Sequence, residues 1–285
     1  MKIRKRLFFL HIPKAAGTTF KEVLYKQYPL NQIAWIDGSH HEESVRRLKR
    51  LGPDQRNSYR CIMGHLQYGL HTDFEGEFGY VTFLREPVAR TVSTYFHILE
   101  NSPHHVHHRA LKSGEVSLEK FVSDRFSDET RNLQVRWISG EPKADHSSLA
   151  QAKENIERDF VFAGISEEFD KSVVAFADVV GFEKPLFYSR KNEGVYNQRT
   201  LDSRVRKLIE EENALDMELY EWVKAKVDQC DIGSRSDIRE KVAAQRAANQ
   251  RYNQRRARLK NIYYIYEAII WKRLQRNNPL IVRDI

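Results

Sequence analysis

The segment LFFLHIPKAAGTTF, residues 7 to 20, constrains this chain most, because it drives a strand through a tight turn directly into a helix. Leu7 to Ile12 is an apolar run suited to a buried parallel strand. Pro13 stops it, and Thr18, Thr19 and Phe20 open an amphipathic helix expected to run through Tyr28. The first amides of a helix lack intrahelical acceptors and carry partial positive charge. With the Lys14 ammonium and the two threonine hydroxyls, the stretch Lys14, Ala15, Ala16, Gly17, Thr18, Thr19 and Phe20 becomes an anion cradle. Lys14 precedes Gly17 by three positions, whereas a Walker A loop has lysine immediately after its second glycine, which disfavours an ordinary kinase or ATPase.

A second segment, GYVTFLREPVARTVSTYF, residues 79 to 96, repeats this logic. Val81 to Leu84 forms the strand, Arg85 falls at the ligand edge of an open α/β sheet, and Pro87 suits the first helical turn. Ser93 follows two turns along, placed to share one phosphate with Arg85. Between the two segments, CIMGHLQYGLH, residues 61 to 71, is a short apolar strand ending at Gly64 and His65. An imidazole with a pKa near 6.5 accepts a proton at neutral pH, which suits a general base. Each residue also has a plainer role: strand-end charge for Lys14 and Arg85, helix capping for Thr18, Thr19 and Ser93, and a backbone-bonded structural histidine for His65.

Taken together, these segments resemble the sulfotransferase superfamily that uses 3′-phosphoadenosine-5′-phosphosulfate (PAPS), in the branch of heparan sulfate 2-O-sulfotransferase and bacterial carbohydrate sulfotransferases. The resemblance covers roughly residues 7 to 225. It implies that the first loop holds the 5′-phosphosulfate, that Arg85 and Ser93 hold the 3′-phosphate, and that His65 is the general base. It further implies that Lys14 stabilises the leaving 5′-phosphate and that the acceptor is a hydroxyl, most naturally of a carbohydrate. Related eukaryotic enzymes often carry a second histidine two residues before the base, where this chain has Met63. The segment DETRNLQVRWISG, residues 128 to 140, resembles an Asn-x-Gln-x-Arg element of bacterial members. It offers Arg131, Gln134 and Arg136 as acceptor contacts or as plain helix packing. Arg190 and Lys191 stand where the family places a basic loop over the 3′-phosphate.

Strands alternating with helices imply a three-layer α/β/α fold, P-loop-like, with a mainly parallel sheet built from strands near residues 7 to 12, 60 to 63, 80 to 84 and 160 to 164. Residues 160 to 182 read as strand, Ser166 cap and amphipathic helix. The catalytic domain is expected over 1–235, a basic helical extension over 236–276 and a tail over 277–285. Asp237 to Arg276 holds neither proline nor glycine, so a long helix follows. Its later apolar stripe suits docking or homo-oligomerisation, and its Arg-rich earlier half suits solvent or a polyanion.

Forty-seven basic against 39 acidic residues give a net charge of +8, which favours an anionic donor and an anionic acceptor. No specific nucleic-acid partner is expected. No run reaches the approximately 18 apolar residues of a membrane span, and the apolar stretch after MKIRKR is too short for a signal peptide. The expectation is a cytoplasmic protein, at most peripheral at the inner membrane surface. Cys61 and Cys230 are isolated, Cys61 as a buried strand residue. The stretch SPHHVHH offers His104, His105, His107 and His108. Without cysteine or carboxylate at ligand spacing it points to acceptor binding through His104 rather than to a metal, and no metal is expected in the reaction. Two other readings stay open, an atypical nucleotide-dependent phosphotransferase and a non-catalytic polyanion-binding protein.

Overall fold

The computed structural model describes residues 6–36, 38, 40–124, 126–182, 186–189, 201–229, 235–259 and 269. The chain begins with β1 (Arg6–Leu10), α1 (Gly17–Tyr25), β2 (Ile33–Ile36), α2 (His41–Arg50), α3 (Pro53–Ser58) and β3 (Cys61–Gly64). It continues with β4 (Phe78–Leu84), α4 (Pro87–Asn101), α5 (His108–Lys112), α6 (Leu118–Ser123), α7 (Leu133–Ser139), α8 (His146–Asp159) and β5 (Phe160–Ile165). Helices α9 (Phe169–Val180), α10 (Ser203–Glu212), α11 (Ala214–Gln229) and α12 (Arg235–Arg258) follow.

All pairings in the five-stranded sheet are parallel, in the order β2-β3-β1-β4-β5. Such a sheet must be covered on both faces, and β1 shows how its sequence meets that demand. Phe8 and Leu10 enter one core with side chains of α2, α7, α8 and α11, while Leu7 and Phe9 enter the opposite core with α1 and α9. None of the four exceeds 1 % exposure. The α/β/α architecture is therefore as expected. The sequence reading missed β2, whose four residues IAWI are too few to show a period, and β2 and β5 form the edges.

Strand β1 lies between β3 and β4. The chain leaves it towards β2 on one side and later reaches β4 on the other, so its carboxyl end is the switch point where an open sheet forms a ligand crevice. Phe20 fixes α1 above this point: its ring meets Phe9 at 4.9 Å, Phe83 at 4.7 Å and Phe176 at 5.0 Å and is fully buried. Its side chain belongs to the core and not to the anion cradle, a correction that follows from the helical turn facing the sheet. Ser166 also departs from expectation, since its hydroxyl donates to the Leu84 carbonyl at 2.8 Å instead of capping a helix. Among the described residues, no helix is long and apolar enough to cross a membrane.

Helix α12, which covers the earlier half of the stretch expected to form one long basic helix, is docked. Gln245, Asn249 and Asn253, at four-residue spacing, bond the backbone of the extended segment 186–189 as a neighbouring strand would. Leu186 donates to Gln245 Oε1 at 3.2 Å and accepts from its Nε2 at 2.6 Å. Tyr188 donates to Asn249 Oδ1 at 2.9 Å and accepts from Asn253 Nδ2 at 3.1 Å. Arg246 pairs with Asp170 of α9 at 2.7 Å, and Arg256 reaches Glu22 of α1 at 3.1 Å. Of the apolar stripe placed in the helix's later half, only Leu259 and Ile269 fall within the described residues, and both are exposed.

Replacing Asn249 with Ala leaves the buried Tyr188 amide without an acceptor, a loss of about 1–3 kcal/mol. Urea unfolding should show this cost, whereas Arg251→Ala on the exposed face should shift stability by less than about 0.5 kcal/mol.

Candidate functional site

Two non-glycine residues in the turn after β1 adopt left-handed backbone, Lys14 with φ 65° and Ala16 with φ 59°. Such conformations cost energy and persist only where the surroundings impose them. Here they swing the chain so that Ala16 caps α1, its carbonyl accepting the amides of Thr19 at 3.0 Å and Phe20 at 3.1 Å. The amides of Ala16, Gly17 and Thr18 find no backbone acceptor among the described residues, and together they form a concave set of N–H donors at a helix start. The cradle is thus narrower than the sequence suggested. The Thr19 and Phe20 amides serve the helix, Ala15 donates to Ile12 at 3.3 Å, and Thr18 is half-buried at the opening.

Gly17 has a steric reason to be glycine. A Cβ there would stand 1.8 Å from Cδ2 and 2.1 Å from Nε2 of His11. His11 is itself locked, its ring stacked on Phe9 at 5.5 Å and set edge-on to His65 at 4.7 Å. His65, at the carboxyl end of β3, is half-buried between His11 and Trp137, whose ring centre lies 5.9 Å away. Gly38 lies against it so closely that a Cβ would approach His65 Nδ1 to 2.6 Å.

Arg85 completes the cleft. Its Nη1 donates to the Lys14 carbonyl at 3.0 Å, bringing the two predicted phosphate ligands into direct contact. Its own backbone is clamped by Gln134, which accepts from the Arg85 amide at 3.0 Å and donates to its carbonyl at 3.0 Å. Gln134 is held in turn by the Asp216 carboxylate, which accepts the amides of Gln134 at 3.1 Å and Val135 at 2.8 Å and so caps α7. The Glu86 carboxylate caps α4 through Val88 at 3.1 Å and Ala89 at 2.7 Å, and Ser93 sits half-buried further along that helix.

These positions give the cleft an unusual charge state. Burial, reinforced by the Arg85 charge and opposed by Glu129, brings the Lys14 ammonium down from 10.5 to about 8. Burial likewise lowers Arg85, against the pull of Glu167 and Glu86. Burial lowers His97 as well, with Lys14 and His105 adding to it. Two desolvated cations, the Arg85 guanidinium bonded to the Lys14 carbonyl and the Lys14 ammonium near enough to feel its charge, have lost water that an anion could replace.

Lys14, Gly17, Thr18, Arg85 and His65 therefore meet around one switch point. Other expected residues lie elsewhere. Gln134 is fully buried with its amide committed to Arg85, so it braces the site and does not face an acceptor, which corrects the sequence reading. Arg131 pairs with Glu212 at 2.6 Å, Arg136 donates to the Asp128 carbonyl, and His104 is exposed on the loop after α4. Arg190 and Lys191 lie outside the described residues. In the histidine stretch, His105 Nδ1 accepts the His107 amide and His108 bonds the Ile98 carbonyl. Among the described residues, no three His, Cys, Asp or Glu side chains gather to hold a metal. Sequence reasoning passed over His11, Glu129 and His97. The one available signal was a polar His11 inside an otherwise apolar strand.

Residues 1–223 match the family model described as Sulfotransferase family. Heparan-sulfate 6-O-sulfotransferase 2 of Gallus gallus is 25% identical over 272 residues, covering 76% of this chain and 66% of that protein. Heparan-sulfate 6-O-sulfotransferase 3-B of Danio rerio is 25% identical over 270 residues, covering 76% and 62%. The chain thus spans just under two thirds of the length of these relatives. A crystal structure of mouse sulfotransferase SULT7A1 complexed with PAP aligns over 76% of this chain and 68% of its own, at 16% identity and a TM-score of 0.33.

Gly17→Ala forces its new methyl into the His11 ring and should destabilise the chain by about 1–3 kcal/mol, as overpacking does. Thermal unfolding of the double variant Gly17→Ala/His11→Ala should recover part of that loss, whereas additive losses would show that the contact is not the cause.

Proposed function

The chain belongs to the Sulfotransferase family, and from that premise we propose that it transfers a sulfuryl group from PAPS to a hydroxyl of a carbohydrate acceptor. The observation that carries this reading is the Arg85–Lys14 contact, which puts two desolvated cations and the free amides of Ala16, Gly17 and Thr18 on one crevice that also receives His65. The names of the relatives, heparan-sulfate 6-O-sulfotransferases, support an anionic carbohydrate as acceptor.

In this reading the helix-start amides and Thr18 hold the 5′-phosphosulfate, and Arg85, with Ser93, serves the 3′-phosphate. His65 removes the proton of the acceptor hydroxyl as that oxygen bonds to sulfur. The bond from sulfur to the bridging oxygen breaks in line, and Lys14 meets the negative charge arriving on the 5′-phosphate. Trp137 beside His65 supplies an apolar wall for a sugar ring. The nucleotide's charges are met by side chains and amides of the chain itself, so donor binding is expected to be independent of magnesium.

Calorimetry with 3′-phosphoadenosine-5′-phosphate (PAP) tests the donor site with or without magnesium. Because an anion prefers charged Lys14, affinity should fall as pH rises through about 8, by about tenfold between pH 7 and pH 9. That slope should vanish in Lys14→Met. Transfer from PAPS should drop about 10²- to 10³-fold in Lys14→Met and about 10²- to 10⁴-fold in His65→Ala, with circular dichroism unchanged. Near-normal transfer in either variant would refute its assigned role.

A further inference from the structure

We propose that His11 is a second histidine of the reaction centre, one that stays uncharged, donates a hydrogen bond from Nε2–H to a 5′-phosphate oxygen of the phosphosulfate at the opening of α1, and holds the His65 ring in place. The inference rests on the PAPS reading above and adds a residue that the sequence analysis left within the strand.

Four observations converge on it. His11 is 8 % exposed, and its Nδ1 is sealed from solvent with no hydrogen-bond partner among the described residues. A buried acceptor without a partner is tolerated more often than a buried N–H without one, so the single proton of the neutral ring belongs on Nε2. That nitrogen lies over Gly17, the second residue of the amide cradle, where even a methyl group would stand 2.1 Å from it. The ring cannot turn away, because it stacks on Phe9 with an interplanar angle of 8° and meets His65 at 86°.

The surroundings also fix its charge. Burial is the chief cause that keeps His11 well below the usual histidine range, and the charges of His65 from β3, Lys21 from α1 and Lys14 from the turn act in the same direction. A ring that does not take up a proton cannot compete with His65 for the acceptor's proton. It can still act as a neutral donor whose dipole is already aimed before charge develops, which is how preorganised donors favour a transition state. His11 thus ties the donor cradle to the base: one edge touches the helix start and another touches His65.

The test combines spectroscopy with kinetics on the full chain labelled with ¹⁵N-histidine, the His11 signal being assigned with His11→Leu. The expected spectrum is a neutral Nε2–H ring from pH 5.5 to 8 whose Nε2 resonance moves when PAP is added. His11→Leu should lower the rate of sulfuryl transfer from PAPS on the order of 10²-fold, with PAP affinity within about threefold of wild type. His11→Gln, which returns an N–H near the Nε2 position, should recover most of that rate. A proton on Nδ1, an Nε2 resonance indifferent to PAP, or a rate loss in His11→Leu matched by equal losses of affinity and stability would overturn the proposal. If wild-type chain binds no PAP by calorimetry, the donor reading falls as well. If it binds PAP while the His11 spectrum stays unmoved, only the role of His11 falls.

Discussion

The hydrogen bond from Arg85 to the Lys14 carbonyl is the contact on which the site depends. Lys14 and Ala16 both hold left-handed backbone that costs each of order 1–3 kcal/mol, and a turn so strained needs an external grip. Arg85 supplies it from the neighbouring strand end. Arg85 is itself immobilised through Gln134, and Gln134 through the Asp216 cap on α7. A chain of backbone-directed bonds therefore runs from α11 to the first turn of the fold. Its product is a set of amides fixed in place before any ligand arrives, which is what an anion site requires.

The same contact sets the electrostatics. Burial first, and the neighbouring Arg85 charge after it, make the Lys14 ammonium easier to deprotonate, and burial likewise lowers Arg85. Glu129 relieves part of this, and Glu86 and Glu167 relieve part of it for Arg85. The cleft is thereby held at a cost in charge desolvation, and in the function proposed above an arriving phosphate would offset that cost.

Much of this was legible in the sequence wherever the cause is local. The strand, Pro13, Gly17 and the threonines lie within one short segment, and each restricts the backbone on its own, so the cradle and the α/β sheet could be anticipated. Arg85 and His65 were recoverable because strand ends predict the ligand edge. What escaped was non-local. Gln134 meets Arg85 across 49 positions and Asp216 meets Gln134 across 82, distances over which composition and period carry no signal. Phe20 was drawn into the cradle because its neighbours belong there, although the helical turn points it at Phe9 and Phe83. In α12, Gln245, Asn249 and Asn253 stand among arginines and resemble a solvated face, since nothing local announces that an extended segment will lie against them.

Helix α12 also reaches the carboxylate of Glu22, 1 % exposed in the middle of α1, and Arg256 meets it across 234 positions of chain. A buried carboxylate needs its cations, and Lys26 alone is local to it. During synthesis α1 therefore emerges long before the arginine that meets its Glu22, with most of the described fold leaving the ribosome in between. Nascent chain cut short of α12 would carry every residue of the turn that opens α1 and, of the two cations that meet Glu22 among the described residues, only Lys26.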